Sequence, residues 1–278
     1  MQIINSTAEM QTISRKWQVD KLVGFVPTMG YLHEGHLSLV KASNEQCEIT
    51  VVSIFVNPSQ FGANEDLGSY PRDIERDLRL LSAYKVDYVF IPEADDMYAK
   101  PYHTWVEVQG ISEGLCGASR PGHFRGVATV VLKLVNLVKP DLMFMGEKDF
   151  QQVAVLKAML KDLNVSTEIV PCPIVREADG LAMSSRNTYL TGELRQQALC
   201  LFKAIGRVKE LFAQGINDTM VLHEAAEEVI REHHGQTDYI SFVDTDTLQE
   251  AKTALPRTRI VLAVKIGNTR LIDNSSIS

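Results

Sequence analysis

Over the first two-thirds of the chain, short apolar runs alternate with helix-length amphipathic stretches, and polar clusters follow several of the runs. The runs lie at residues 21–27 (KLVGFVP), 49–56 (ITVVSIFV), 86–91 (VDYVFI), 141–145 and 168–175. Residues 49–56 are apolar nearly throughout, as a strand buried on both faces requires. A Ser6/Glu9 capping box opens a short first helix, and a helical pattern starts at His36. Ile74, Leu78 and Leu81 share one helical face, residues 128–138 form a further helix, and another starts at Phe150. Strands separated by helices of this length predict a doubly wound parallel α/β sheet. Such sheets hold ligands beyond the carboxyl ends of their strands.

The last third changes character. Leu194, Ala198, Leu201, Ile205, Val208 and Phe212 mark one amphipathic helix, and Leu222, Ala225 and Val229 start another. Strand-like runs at 239–243 and 259–266 follow, the latter turning at Gly267-Asn268 into 269–272. With 278 residues, the chain exceeds the size at which one core usually stops growing. The reading is therefore a larger domain over 1–173 and a smaller C-terminal α/β domain over 174–278.

Composition removes several classes of function. The net charge of −7 and the lack of any basic run argue against phosphate-backbone binding, hence against a nucleic-acid partner. The greasiest stretch, 127–138, carries Lys133 and Asn136, whereas a membrane span needs about 20 apolar residues. The opening residues lack the basic-then-apolar order of a secretion signal, which predicts a cytoplasmic protein. Cys47, Cys116, Cys172 and Cys200 are too scattered for a metal knuckle and read as core residues or spare thiols.

Four clusters carry chemistry. The first, PTMGYLHEGH at 27–36, follows a strand and opens a helix, placing His33 and His36 three residues apart on one face. Gly35 permits close ligand approach, and the N–H groups and dipole of a helix start attract anions, together a site for a polyphosphate. HEGH lacks the HExxH zinc spacing, and no third ligand lies nearby. The second, NPSQFG at 57–62, offers the uncharged Asn57 and Gln60 for orienting a hydroxyl or carboxylate. The third, GEKDFQQ at 146–152, brings Lys148 for phosphate oxygens and Asp149 for a nucleotide hydroxyl or a magnesium ion, with Gln152 one turn into a helix. The fourth, MSSRN at 183–187, makes a phosphate clamp of two hydroxyls and an arginine. His123, within GASRPGHFRG, is a further candidate to face the site. Neither GxxxxGK[ST] nor a strand-following GxGxxG occurs, so a P-loop NTPase and a dinucleotide dehydrogenase are disfavoured.

In combination, PTMGYLHEGH, VSIFVNPSQFGANEDLGSYPRD, GASRPGHFRG, GEKDFQQ, SSRNTYL and TRLIDN resemble the pantoate–β-alanine ligase (pantothenate synthetase) family, in order along the chain. HxGH alone indicates only the wider nucleotidyltransferase superfamily. The resemblance implies a Rossmann-like N-terminal domain, a smaller C-terminal domain acting as a hinged cover, and a homodimer. It implies ATP, Mg²⁺, (R)-pantoate and β-alanine as ligands, with a pantoyl adenylate between two half-reactions. Carried over by motif, Met29, Gly30, Tyr31, Leu32, His33, Glu34, Gly35, His36, Gly146, Glu147, Lys148, Asp149, Val175, Met183, Ser184, Ser185 and Arg186 are the implied ATP contacts. Gln60 and Gln152 are the implied pantoate ligands, Gln60 also serves β-alanine, and His36, His33 and Lys148 carry the catalysis; metal ligands stay unassigned. Two rivals remain: another HxGH nucleotidyltransferase, which leaves NPSQFG and GEKDFQQ unexplained, and a nucleotide-sensing module without turnover.

Overall fold

A computed structural model describes residues 1–17, 21–63 and 65–278. The chain starts with strand β1 (Gln2–Ile4), helix α1 (Thr7–Ser14), β2 (Val23–Thr28), α2 (Glu34–Gln46), β3 (Ile49–Ile54), α3 (Ile74–Leu81) and β4 (Tyr88–Phe90). Next come the short α4 (Ala94–Met97) and α5 (Cys116–Ser119), then α6 (His123–Val138), β5 (Leu142–Gly146), α7 (Phe150–Asp162) and β6 (Glu168–Cys172). The remainder forms α8 (Glu193–Ala198), α9 (Cys200–Ala213), α10 (Thr219–Glu232), β7 (Gln236–Asp244), β8 (Thr258–Ile266) and β9 (Thr269–Ser276).

Two compact units result. The first comprises residues 1–112, 120–147 and 152–173; the second comprises 113–119, 148–151 and 174–278. The first holds a six-stranded sheet, ordered β1-β4-β3-β2-β5-β6, in which every pairing is parallel. Side-chain alternation splits its core in two. Val23, Phe25 and Val51 join one cluster with Val127, Val131 and Leu156. Their neighbours Val26, Val52 and Ile54 join the other with Leu37, Val40 and Leu81. A sheet buried on both faces in this way is the doubly wound arrangement, and its strand order reverses at β2, which pairs with both β3 and β5. The carboxyl ends of strands flanking that reversal are where such sheets bind ligands.

The second unit packs α9 and α10 with an antiparallel sheet ordered β7-β8-β9 around its own core, which includes Leu201, Val208, Ile230, Leu262 and Val264. Gly267, at φ 54°, makes the two-residue turn joining β8 to β9.

The structure departs from the expected elements at several places. Strand β1 and helices α4 and α5 are too short to leave a periodic signal. Helix α6 starts at His123 rather than 128, because GHFRG supplies a polar-looking first turn although His123, Phe124 and Gly126 are buried. The helix expected across 194–212 is two: the Leu199 amide bonds to the Gln196 carbonyl at 3.3 Å, a tightened turn that bends the chain while keeping the apolar stripe inward. Strand β9 runs on to Ser276 rather than ending at 272. All four cysteines are buried free thiols, and burial pushes Cys47 up to about 11 and Cys200 up to about 12.

Candidate active site

Strand β2 ends in a left-handed turn, with Gly30 at φ 82° and Tyr31 at φ 50°. Glycine reaches this conformation readily; tyrosine does not. Asp77 of α3 holds the turn. One of its carboxylate oxygens accepts the Tyr31 N–H at 2.7 Å and the other accepts the Leu32 N–H at 2.7 Å. Arg76 donates to the Leu32 carbonyl at 2.9 Å and lies over the Tyr31 ring at 5.0 Å. Burial pushes the Asp77 carboxyl above its usual range, against the pull of the two amides and of Arg76.

His33 is the N-cap of α2. Its Nδ1 accepts the Gly35 N–H at 3.1 Å, while His36 Nδ1 accepts the His33 N–H at 3.3 Å. The two imidazoles thus form a reciprocal capping box, with ring centroids 4.0 Å apart. An Nδ1 that accepts an N–H bears no proton, so each neutral ring carries its hydrogen on Nε2. This modifies the anion-site expectation: the amides of His33 and Gly35 are engaged by the histidines themselves.

The turn after β3 is built around Asn57, which is 1% exposed. Its Oδ1 accepts from the Ser59 amide at 3.3 Å, the Ser59 hydroxyl at 2.9 Å and the Tyr98 hydroxyl at 2.8 Å. Its Nδ2 donates to Gln60 Oε1 at 3.0 Å and to the Gly126 carbonyl at 3.2 Å. With its capacity spent internally, Asn57 orients Gln60 rather than reading a ligand. The Gln60 Nε2 then lies 3.3 Å from Met29 Sδ, bringing two of the sequence-predicted residues together.

The GHFRG segment braces the same turn. His123 Nδ1 donates to the Gln60 carbonyl at 2.9 Å, and Arg120 Nη2 reaches that carbonyl at 3.3 Å. Arg120 also grips Glu65 through Nε and Nη2, at 2.8 and 2.6 Å. Burial opposes ionisation of Glu65, but the hydrogen bonds and charge of Arg120 outweigh it and hold the carboxyl below its usual range. Gly126 is required by contact: a Cβ there would lie 2.3 Å from the Ser59 carbonyl oxygen.

Strand β5 ends in Gly146, and Glu147 follows, half-buried. In the second unit, Lys148 is half-buried and Asp149 exposed. The Lys148 carbonyl accepts from Asn274 Nδ2 at 2.9 Å, which gives the TRLIDN string a structural part. Gln151 is committed to structure, accepting the Cys116 amide at 3.0 Å and donating to the Gly114 carbonyl at 2.8 Å; Gln152, in the first unit, is half-buried. The Met183 amide bonds to the Val175 carbonyl at 3.0 Å, so these two distant members of the implied ATP set are neighbours. Ser184 caps the turn over Ser185–Tyr189 by accepting the Arg186 amide at 3.3 Å. Asn187 ties this loop to Glu177 at 2.6 Å, and Arg195 ties Glu177 to Asp179.

Sequence reasoning missed Asp77, Tyr98 and the Arg120–Glu65 pair. Asp77 and Tyr98 stand in no recognisable spacing with the groups they serve, and although Glu65 and Arg120 lie within strings that carry the resemblance, nothing in the sequence pairs them.

The family model described as pantoate-beta-alanine ligase matches residues 2–276. A pantothenate synthetase of Caldicellulosiruptor bescii is 52% identical over 276 residues, covering 99% of this chain and 98% of its own. The crystal structure of pantothenate synthetase from Thermus thermophilus superposes with a TM-score of 0.94 at 42% identity, over 100% of this chain and 99% of the other. A pantoate-beta-alanine ligase from Francisella tularensis, solved in complex with beta-gamma ATP and beta-alanine, has a TM-score of 0.84 at 35% identity, over 100% of this chain and 98% of the other. Similarity of this extent, end to end and in both sequence and fold, settles membership: the chain belongs to the pantoate–β-alanine ligase family and joins pantoate to β-alanine.

Proposed function

We propose that the ligation runs through a pantoyl adenylate, with ATP as the activating substrate. A carboxylate is a poor electrophile. One of its oxygens attacks the α-phosphorus of ATP, the bond to the bridging oxygen breaks, and pyrophosphate leaves. The β-alanine amine then attacks the acyl carbon, the carbon–oxygen bond to AMP breaks, and the amine loses its proton as the amide forms. The ATP-analogue and β-alanine complex of the Francisella relative supports these two ligands.

The observation that carries this reading is the interlocked pair His33 and His36 at the carboxyl end of β2, whose tautomers put both ring protons on Nε2. Donors placed where charge grows on phosphorus stabilise the transition state. Lys148 neutralises phosphate charge, and Arg186 with Ser184 and Ser185 clamps phosphate oxygens. Met29, Gly30, Tyr31, Leu32, Glu34, Gly35, Gly146, Glu147, Asp149, Val175 and Met183 complete the nucleotide's surroundings. Gln60 and Gln152 take pantoate, and Gln60 also serves β-alanine.

Among the described residues no group of three or more His, Cys, Asp or Glu can hold a metal. Asp149, exposed after Lys148, is a carboxylate that could meet a magnesium ion carried in by the nucleotide, an oxygen ligand of the kind that ion takes. The same reading divides the chain into a nucleotide- and pantoate-binding domain over 1–173 and a cover over 174–278, and takes the enzyme as a cytoplasmic homodimer. No helix among the described residues is long and apolar enough to cross a membrane.

Exchange of labelled pyrophosphate into ATP tests the mechanism. It should require pantoate and proceed without β-alanine; exchange absent with pantoate present would refute the adenylate. Gln60→Ala should raise KM for pantoate far more than KM for ATP, because the oriented amide reads the acid and not the nucleotide. Equal weakening of both substrates, measured by initial rates, would contradict that division.

A further inference from the structure

We propose that Asp77 is a positioning residue for adenylation, its buried carboxylate holding the left-handed turn that delivers His33 and His36 to the nucleotide. The inference rests on the reading of the histidine pair given above and adds a residue outside every motif that reading used.

Asp77 is 1% exposed, yet its two oxygens meet two consecutive amides contributed from 46 and 45 residues upstream. Two N–H donors on one carboxyl group require an acceptor at both oxygens, which the carboxylate provides and an amide does not. The seat is tight as well as polar. A Cβ on Gly30 would lie 3.2 Å from Asp77 Oδ2 and 3.0 Å from Ile54 Cγ2, so the backbone lies close against this partner, and at φ 82° a side chain there would be strained as well as tight. Tyr31, at φ 50°, sits in a conformation that its own sterics disfavour, and a non-glycine residue stays there only when its surroundings impose it.

The neighbouring side chain completes the grip. Arg76 donates to the Leu32 carbonyl at 2.9 Å and stands 3.5 Å from the Asp77 carboxylate. The Leu32 peptide is thereby held at its N–H by Asp77 and at its C=O by Arg76. The next residue is His33, whose amide is bound by His36 and whose ring is bound by Gly35. A displacement of Leu32 therefore moves both imidazoles together. Residue placement errors of about 1 Å at a reacting centre cost on the order of 10²-fold in rate.

Asp77→Asn keeps the shape and sets an amide nitrogen against one of the two backbone donors. Pantoate-dependent ATP–pyrophosphate exchange is measured on the full chain, with active sites counted by the burst of pantoyl adenylate. Per active site, the exchange rate should fall on the order of 10²-fold and KM for ATP should rise. A merely structural role predicts fewer active sites and a lower Tm with unchanged per-site rate and KM, and that result would overturn the proposal. Arg76→Met, whose parent side chain is partly exposed, covers the case in which Asp77→Asn fails to fold. It should raise KM for ATP several-fold with the active-site count preserved, and an unchanged KM would equally overturn the proposal. Absence of exchange in the unmodified chain would refute the adenylate reading itself. Loss in His36→Ala with none in Asp77→Asn would refute only the role of Asp77.

Discussion

Replacing His36 by alanine should lower pantoate-dependent ATP–pyrophosphate exchange on the order of 10²-fold or more, the scale of losing one transition-state donor. Two separable losses contribute. On the proposed mechanism, the Nε2–H disappears from the site where charge grows on the α-phosphate. The Nδ1 acceptor also disappears from the His33 amide, which it binds at 3.3 Å, and losing a helix cap costs about 1 kcal/mol of stability. A pair of variants separates them. Asparagine at this position retains an acceptor near Nδ1 and nothing at Nε2, so His36→Asn should melt close to the parent while exchanging as poorly as His36→Ala. Near-normal exchange in either variant would remove His36 from the chemistry.

Gly126→Ala should damage both the fold and pantoate recognition. The added Cβ would lie 2.3 Å from the Ser59 carbonyl oxygen, 2.5 Å from its carbon and 2.7 Å from the Gln60 Cα. Each of these is backbone, so no side-chain rotation relieves the contact. Overpacking of this kind costs about 1–3 kcal/mol, a fall in Tm of several degrees for a protein of this size. The Gly126 carbonyl also accepts from Asn57, so the displacement reaches the residue that orients Gln60. KM for pantoate should consequently rise more than KM for ATP. Thermal melting and initial rates check both parts, and a variant with unchanged Tm and pantoate KM would sink the close-approach argument.

The parallel sheet was legible because its strands are buried on both faces: residues 49–56 contain almost nothing polar, and helix-length spacers separate successive runs. Three of the four motif clusters follow the carboxyl ends of β2, β3 and β5, the ends beyond which such sheets hold ligands. Asp77 was not legible. In IERDLRLL a carboxylate on an amphipathic helix reads as part of the solvated face, and only the fold brings the amides of Tyr31 and Leu32 to it. Asn57 misled in the opposite direction. It follows a strand beside Gln60 and invites a ligand-reading role, but its five internal hydrogen bonds are fixed by Ser59, Tyr98, Gln60 and Gly126, and the two to Tyr98 and Gly126 lie beyond any local rule. The break at Leu199 leaves the apolar spacing intact, so periodicity could not reveal it.

The second unit takes in two loans from upstream, and this bears on how the chain can be dissected. Asn274 bonds to the Lys148 carbonyl, Arg259 lies 4.3 Å over the Phe150 ring, and Arg270 reaches Cys116 Sγ at 3.6 Å. A fragment excised at residue 173 would leave these groups bereft, with cationic side chains hanging over vacated seats. No single scissor cut yields the C-terminal body whole; a minigene for it would have to splice in both borrowed peptides.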